Sequence, residues 1–511
     1  MKLMQPTKAS LDVIEQKIYA EPLALRQFCF HFIGIGGIGV SAVARVLAER
    51  GAQIQGSDVR ESQLTLSIQS LGAKVVIGHH TSNIDGADLV VYSTAVPKDN
   101  IELIEAEKRG IPCIHRSKAL AYGLIGLETV GVTGTHGKGT VSAMITHGLI
   151  CAEQDPSFII GGILNQYKTN AKVGRLPEDS KIDSTEQPSS PLKCYGVAEI
   201  DESDGSHLNL NPHHALVNHL EVDHLNYYED LKAIITTMTR FLQENQQLKT
   251  VALNMSDQGV RQMLNALNFN QDVHVLGYAA EGYYPSTEGS LDKVAYTVRD
   301  VVDYGIKVCF TAYHFERELG KIELPIPGGY NAENAAGALA IMLGGLQLDF
   351  AVCQKALNSF EGLENRFTVR QDQEITVVKD YLSHPTGMKR VLESAQRMEH
   401  RKIWCVFKPY RFTLMKYHGE DYARAFTGAD DVLITTMYAA NEPSLPGIDT
   451  QWFVEQLKRF GNQTHFIPEQ DDLIPFLQKH VKAKDLIFFF GGDDFFRMAD
   501  TWMDERALKF T

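Results

Sequence analysis

Two short apolar segments in this chain each run into a glycine-rich loop and then into a helical pattern, and this punctuation constrains the fold more than any other feature. Residues 29–35 read as a buried strand; Gly34-x-Gly36-x-x-Gly39 follows, and residues 41–50 carry an apolar helical stripe that stops at Gly51. A fresh start comes at Glu128, with a strand over 129–133, the loop Gly134-Thr135-His136-Gly137-Lys138-Gly139-Thr140, and a helix to about Leu149. Strands alternating with helices imply βαβ units and parallel sheets, so the expected class is α/β. Further strands are expected at 53–56, 74–77, 88–93, 196–200 and 215–218. A third series, at 367–370, 376–379 and 402–407, encloses a helix at 387–397, and no short-period repeat interrupts the pattern.

The length of 511 residues allows three or four domains at about 150 residues each. The restarts divide the chain into three: a Rossmann-like domain over 1–127, a central P-loop ATPase-like domain over 128–366, and a C-terminal Rossmann-like domain over 367–511. The polar, proline-bearing stretch 172–191 reads as a loop or insertion, and the first 28 residues add an extra helix. Hydrophobic residues are 44% and charged residues 22%, ordinary for a globular chain. The net charge of 49 − 63 = −14 speaks against bulk nucleic-acid binding, which calls for a basic excess. It leaves room for a small phosphate ligand held by a helix N-terminus and a few local cations. Seven scattered cysteines without a C-x-x-C pattern suit reduced thiols. With no signal-peptide pattern and no membrane-length apolar run, they point to a soluble cytoplasmic protein without a membrane partner.

The first loop has the composition that lets a backbone approach a pyrophosphate: Gly34, Gly36, Gly37 and Gly39 at the start of a helix. Asp58 closes the next strand about 20 residues on, where a ribose-binding carboxylate belongs. Taken alone, this suggests a dinucleotide oxidoreductase, which leaves the second loop unexplained. There Lys138 is suited to the β/γ-phosphates of ATP, with the backbone of Gly134, Thr135, His136, Gly137 and Gly139 around the phosphate chain. Val132 occupies the first glycine slot of a strict P-loop, and Gly139 stands where a hydroxyl should follow the lysine. Thr140, one place later, is the candidate Mg²⁺ hydroxyl. Downstream, Glu199-Ile-Asp201-Glu202-Ser203-Asp204 and Glu221-Val-Asp223-His224 add carboxylates and an imidazole suited to Mg²⁺ on phosphates.

Thr-Gly-Thr-His-Gly-Lys at 133–138, preceded by His-Phe-Ile-Gly-Ile-Gly-Gly at 31–37, resembles the Mur ligase family, and the resemblance extends to about Phe490. The resemblance implies that Glu199 is a metal ligand and that His224 assists a second metal. It likens Pro327-Gly-Gly-Tyr330-Asn331-Ala-Glu-Asn334 to the family's P-G-x-H-N-x-x-N, in which asparagines hold adenine; here Tyr330 stands at the histidine position. Arg366 matches an arginine that reaches the γ-phosphate. Asp380 and His384, in Asp-Tyr-Leu-Ser-His-Pro-Thr, match residues at the nucleotide ribose and the reaction centre, with Ser383 at the other histidine. Arg411, in Pro409-Tyr-Arg-Phe-Thr413, matches a carboxylate-gripping arginine, and Leu414 stands where a second arginine is usual. Tyr438-Ala-Ala-Asn441-Glu442 follows the family's Y-x-A-x-E, and Gly491-Gly-Asp-Asp494 replaces its last glycine turn.

The implied activity is ATP-dependent amide formation: an amino acid, L-alanine favoured, is joined through an acyl phosphate to the carboxylate of UDP-N-acetylmuramate or a related UDP-sugar acid in peptidoglycan synthesis. ATP and Mg²⁺ are the implied cofactors. The departures at Gly139, Tyr330, Ser383 and Leu414 leave two other readings open, a paralogue adding a different amino acid or peptide and a catalytically weak regulatory homologue. Positive charge is expected to concentrate at Lys138, Arg366 and Arg411.

Overall fold

The computed structural model describes residues 10–178, 193–225, 227–269, 272–281, 294–439 and 442–510. Most of the polar stretch 172–191, the first nine residues and Asn441 fall outside them. The chain sorts into two compact units: residues 1–220, 234–277 and 337–356 in the first, and residues 221–233, 278–336 and 357–511 in the second.

In the first unit, β1 (Cys29–Ile33), β2 (Gln53–Asp58), β3 (Lys74–Ile77), β4 (Leu89–Tyr92) and β5 (Cys113–His115) form a sheet of order β3-β2-β1-β4-β5. All of its pairs are parallel. The expected N-terminal helix spans Leu11–Ala20 and is tied down by Tyr122, whose hydroxyl donates to Glu15 at 2.5 Å. The second series is β6 (Glu128–Thr133), β7 (Ser157–Leu164), β8 (Thr169–Lys172), β9 (Tyr195–Glu199), β10 (His214–Val217) and β11 (Thr250–Asn254), in the order β11-β10-β6-β9-β7-β8. The pairs are parallel except β7 with β8. Lys172, expected to open a loop, instead ends β8, because its strand pairs with Phe158 and Ile159 of β7. The helix Lys138–Cys151 is buried from Val141 through Leu149, as an apolar sequence with no polar face requires.

The chain passes into the second unit within β12 (His274–Ala280). There β13 (Val294–Asp303), β14 (Val308–His314) and β15 (Arg317–Leu324) pair antiparallel as successive hairpins. The third series is β16 (Thr368–Gln371), β17 (Thr376–Asp380), β18 (Ile403–Phe407), β19 (Asp431–Ile434), β20 (Thr464–Phe466) and β21 (Leu486–Phe490). Their order is β16-β17-β21-β18-β19-β20, parallel apart from the edge strand β16. Leu-Ile-Phe-Phe-Phe of β21 is buried at every position, the continuous apolar run of a strand covered on both faces. None of the seven cysteines is in a disulfide. Among the described residues, no helix is long and apolar enough to cross a membrane.

One polar cluster lies inside the first sheet. The Glu102 side chain is fully buried and accepts hydrogen bonds from Ser57 Oγ at 2.6 Å, Asn83 Nδ2 at 2.6 Å and the His80 N–H at 3.1 Å. His31 Nε2, from the middle of β1, lies 2.9 Å from the same carboxylate. Burial alone would raise the carboxyl pKa, but His31, Ser57 and Asn83 reverse that and hold it at about 2. A carboxyl whose folded pKa lies below its unfolded value stabilises the fold above the unfolded value and stops doing so as pH falls. Glu102→Gln should therefore cost the first sheet on the order of 2 kcal/mol at pH 7. That difference should shrink as pH falls from about 4.5 toward about 2, read by hydrogen exchange of the β1 and β2 amides.

Candidate active site

In the first unit, both glycine loops leave the C-terminal ends of parallel strands, where ligands of open α/β sheets bind. Gly34, at φ +74°, turns the chain out of β1, and the N–H groups of Gly34 and Ile35 donate to Ser57 O at 2.8 and 3.0 Å. The Gly36 N–H donates to Asp58 Oδ2 at 2.8 Å, and a Cβ at residue 36 would lie 2.9 Å from that oxygen and 2.8 Å from Thr65 Cγ2. Glycine at 36 is thus required by the loop's own acid: Asp58, expected at a ribose, shapes the first loop here. Gly37 caps the helix Ile38–Glu49, and Gly39 lies in its first turn beside the Arg116 guanidinium.

The second loop is held by Asn218 and His219, the two residues that follow β10. Gly134 has φ +117°, and a Cβ there would meet His219 O at 2.7 Å and Asn218 N at 3.0 Å, so only glycine lets the loop pass. The Thr135 N–H donates to His219 O at 2.7 Å, and Asn218 Nδ2 donates to His136 O at 2.9 Å. Gly137, at φ +78°, caps the helix Lys138–Cys151, whose first turn carries Gly139 and Thr140. Lys138 Nζ donates to Gly134 O at 2.8 Å and to Glu202 Oε1 at 3.0 Å. Burial works against the ammonium, but Glu202, Asp201 and Glu199 outweigh it and raise its pKa. Asp201 is half-buried; desolvation opposes its ionisation, but Lys138 and Arg116 hold its carboxyl below the usual range.

Glu199, at the end of β9, accepts the Gly161 N–H at 2.7 Å. With the Thr140 hydroxyl it offers hard oxygen donors beside the lysine, a donor set that fits Mg²⁺. Arg116 has no part in the sequence reading. Its Nη2 donates to Asp201 Oδ2 at 2.5 Å, and its Nη1 lies 3.6 Å from where a Gly39 Cβ would be. One guanidinium therefore reaches from the helix turn after the first glycine loop to Asp201, one of the acids that raise the Lys138 pKa. The signal in the sequence was only a cation after the short strand β5, which many surface helices share.

His224 belongs to the second unit, has φ +53°, and its N–H donates to Asp223 Oδ1 at 2.6 Å. Two residues earlier, Val222 O lies 3.3 Å from His418 Nε2, and Glu221 Oε2 accepts the Thr386 hydroxyl at 2.9 Å. His384 caps the helix Pro385–Ala395, with its ring 4.7 Å from that of His418. Asp380 is buried at the end of β17 and accepts the N–H groups of Phe367 and Leu382, each at 3.0 Å. Burial pushes its carboxyl up to about 6 against the opposing Arg366, whose guanidinium lies 5.8 Å from the Tyr381 ring centroid. Asn331 Nδ2 donates to Pro327 O at 2.7 Å, and Asn334 Nδ2 donates to Asn331 Oδ1 at 2.9 Å. Tyr330 packs against the core under the third series of strands, and Leu414 does the same. Arg411, at φ +63°, caps the helix Phe412–Ala425, and its N–H donates to Tyr438 O at 2.9 Å. Glu442 accepts the N–H and the hydroxyl of Thr413 at 3.0 and 2.7 Å, and Lys408 pairs with Asp494 at 2.8 Å. The second unit thus brings Asp380, His384, Arg366, Asn331 and Asn334 onto one framework, and adds Glu221, Thr386 and His418.

Three family models match the chain: "Mur ligase family, catalytic domain" over residues 29–123, "Mur ligase middle domain" over 132–342, and "Mur ligase, glutamate ligase domain" over 365–492. The UDP-N-acetylmuramate–L-alanine ligase of Desulforamulus reducens is 35% identical over 478 residues, covering 91% of this chain and 95% of that protein. Its counterpart in Syntrophomonas wolfei is 32% identical over 472 residues, with 92% and 95% covered. Among solved structures, the UDP-N-acetylmuramate–alanine ligase of Thermotoga maritima aligns with TM-score 0.74 at 24% identity, covering 94% of this chain and 100% of that one. A murein peptide ligase of Psychrobacter arcticus aligns with TM-score 0.68 at 19% identity, covering 93% and 98%. With family models matching its three segments and relatives above 30% identity covering nearly its whole length, the chain belongs to the Mur ligase family.

Proposed function

We propose that this chain is an ATP-dependent, ADP-forming ligase that joins L-alanine to the carboxylate of UDP-N-acetylmuramate in cytoplasmic peptidoglycan synthesis. The observation that carries this reading is the half-buried Lys138 at a helix N-terminus, among Glu199, Asp201 and Glu202, one Arg116–Asp201 ion pair away from the first glycine loop. Such an arrangement suits two anionic substrates held side by side, which neither a simple nucleotide hydrolase nor an oxidoreductase needs. The relatives at 32% and 35% identity carry the L-alanine ligase name. The peptide-adding alternative draws on a fold likeness at 19% identity, so L-alanine is the preferred acceptor.

In this reading Gly34, Gly36, Gly37 and Gly39, shaped by Asp58, receive the UDP-sugar, and Gly134 through Thr140 receive the triphosphate. Thr140 and Glu199 are the candidate Mg²⁺ ligands, with His224 assigned to a second metal; bound at the first two, the ion would neutralise phosphate charge. Lys138 neutralises the same charge from the protein side as the substrate carboxylate attacks the γ-phosphorus and ADP departs. Asn331 and Asn334 serve the adenine, and Arg366 and Asp380 the rest of the nucleotide. His384 lines the reaction centre, where the amine of L-alanine attacks the acyl phosphate and expels phosphate, and Arg411 grips the amino-acid carboxylate. Domain limits at 1–127, 128–366 and 367–511 suit this division of labour.

Phosphate release from Mg·ATP with UDP-N-acetylmuramate should be stimulated strongly by L-alanine and little by other amino acids or peptides. Stimulation by a peptide alone would move the chain to the peptide-adding ligases, and no turnover with any acid would sink the reading. Lys138→Ala should lower turnover by at least about 10²-fold while UDP-N-acetylmuramate still binds, as isothermal titration would report. Chelation of divalent cations should stop phosphate release, and Mg²⁺ should restore it.

A further inference from the structure

Asp303 is the last residue of β13, and its side chain is 1% exposed. Its Oδ1 accepts the Gly305 N–H at 2.8 Å and so closes the hairpin turn. Its Oδ2 accepts the Gly329 N–H at 2.8 Å and the Ser394 hydroxyl at 2.6 Å, and lies 3.0 Å from Arg397 Nη1. Gly329 precedes Tyr330 and Asn331, whereas Ser394 and Arg397 lie at and just beyond the end of the helix Pro385–Ala395. One carboxylate therefore joins three chain segments that are distant in sequence.

Other contacts run between the same elements. Arg390, on the helix Pro385–Ala395, reaches the buried Glu333 of the helix Tyr330–Leu339 at 3.5 Å. The Tyr330 ring packs against the core beneath that same helix and the third series of strands. Gly305, at φ +80°, comes so close to the chain after the helix that a Cβ there would meet Met398 Cγ at 2.7 Å. The asparagines at 331 and 334 thus sit on a helical turn whose entry is held by groups from the C-terminal third of the chain.

We infer that Asp303 is a positioning residue for nucleotide binding: by holding Gly329 to Ser394 and Arg397, it makes the stance of Asn331 and Asn334 depend on the helix Pro385–Ala395. This rests on the reading of the two asparagines as the adenine site. A carboxylate suits the role because it accepts several donors at once and carries the charge that Arg397 faces. An amide offers one acceptor oxygen and turns its NH₂ toward Ser394 or Gly329.

The test is equilibrium binding of the Mg complex of a β,γ-imido ATP analogue, alongside binding of UDP-N-acetylmuramate, to the full-length chain. Asp303→Asn should weaken the analogue about tenfold, the size expected for losing charge-assisted hydrogen bonds. UDP-N-acetylmuramate should bind within about twofold of wild type, and kcat at saturating ATP should move far less than the KM for ATP. Ser394→Ala and Arg397→Gln are milder changes and should each weaken the analogue about threefold, whether or not Asp303→Asn folds. Adding Ser394→Ala to Asp303→Asn should cost little more, because the two share one contact. Unchanged analogue binding in the milder variants, or equal losses for both ligands, would overturn the inference. A wild-type chain that binds no ATP analogue would remove the nucleotide reading itself, and with it this one.

Discussion

A half-buried lysine ammonium packed against carboxylates is the interaction around which the first unit is organised. Lys138 can be withdrawn from solvent this far because Glu202 pairs with it and Asp201 and Glu199 add to the field; an unpaired ammonium would be neutralised or driven to the surface. That pairing requires β6 and β9 to be neighbours, since Lys138 follows one strand and the carboxylates end or follow the other. It requires Gly134 to slip past the backbone of Asn218 and His219. It also brings Arg116 within reach of Asp201, which links the two glycine loops by a chain of alternating charges. The net charge of −14 is no obstacle to holding anions here, because the cations stand where helix N-termini already favour negative charge.

The second unit uses polar groups differently. Asp303, Asp380, Glu221 and Glu442 are each occupied with backbone N–H groups, hydroxyls or a guanidinium, so they set the path of loops before any ligand is considered. The departures from the family pattern become physically readable in the same way. Tyr330 gains an apolar core to pack against, which a histidine would use less well, and Leu414 joins that core where an arginine would have to stay at its rim. Both changes exchange a polar side chain for apolar packing at the entrance to a helix.

Much of the architecture was legible in the order of residues. Apolar runs of strand length, each followed by glycine and a helical stripe, predict parallel βαβ units, and β1, β6, β17 and β18 lie within a residue or two of expectation. The ends of elements were less legible. The strand at 53–56 extends to Asp58, and Lys172 belongs to β8, because ladder pairing and not local composition decides where a strand stops. The buried carboxylate Glu102 gave no sequence signal, since an acid in the first turn of a helix is ordinarily a solvated one.

What the sequence determined by itself was the class of fold, the two loops and the residue types at them. Those depend on local rules: φ freedom at glycine, the period of apolar side chains, and the spacing between loop and acid. What only the tertiary structure decided was which charges meet. That Lys138 faces Glu202, that Arg116 pairs with Asp201, and that Asp303 gathers Gly329, Ser394 and Arg397 all depend on strand order and on segments far apart in the chain. Electrostatic and hydrogen-bonding partners are set by distance in space, and distance in space follows from the packing of the sheets.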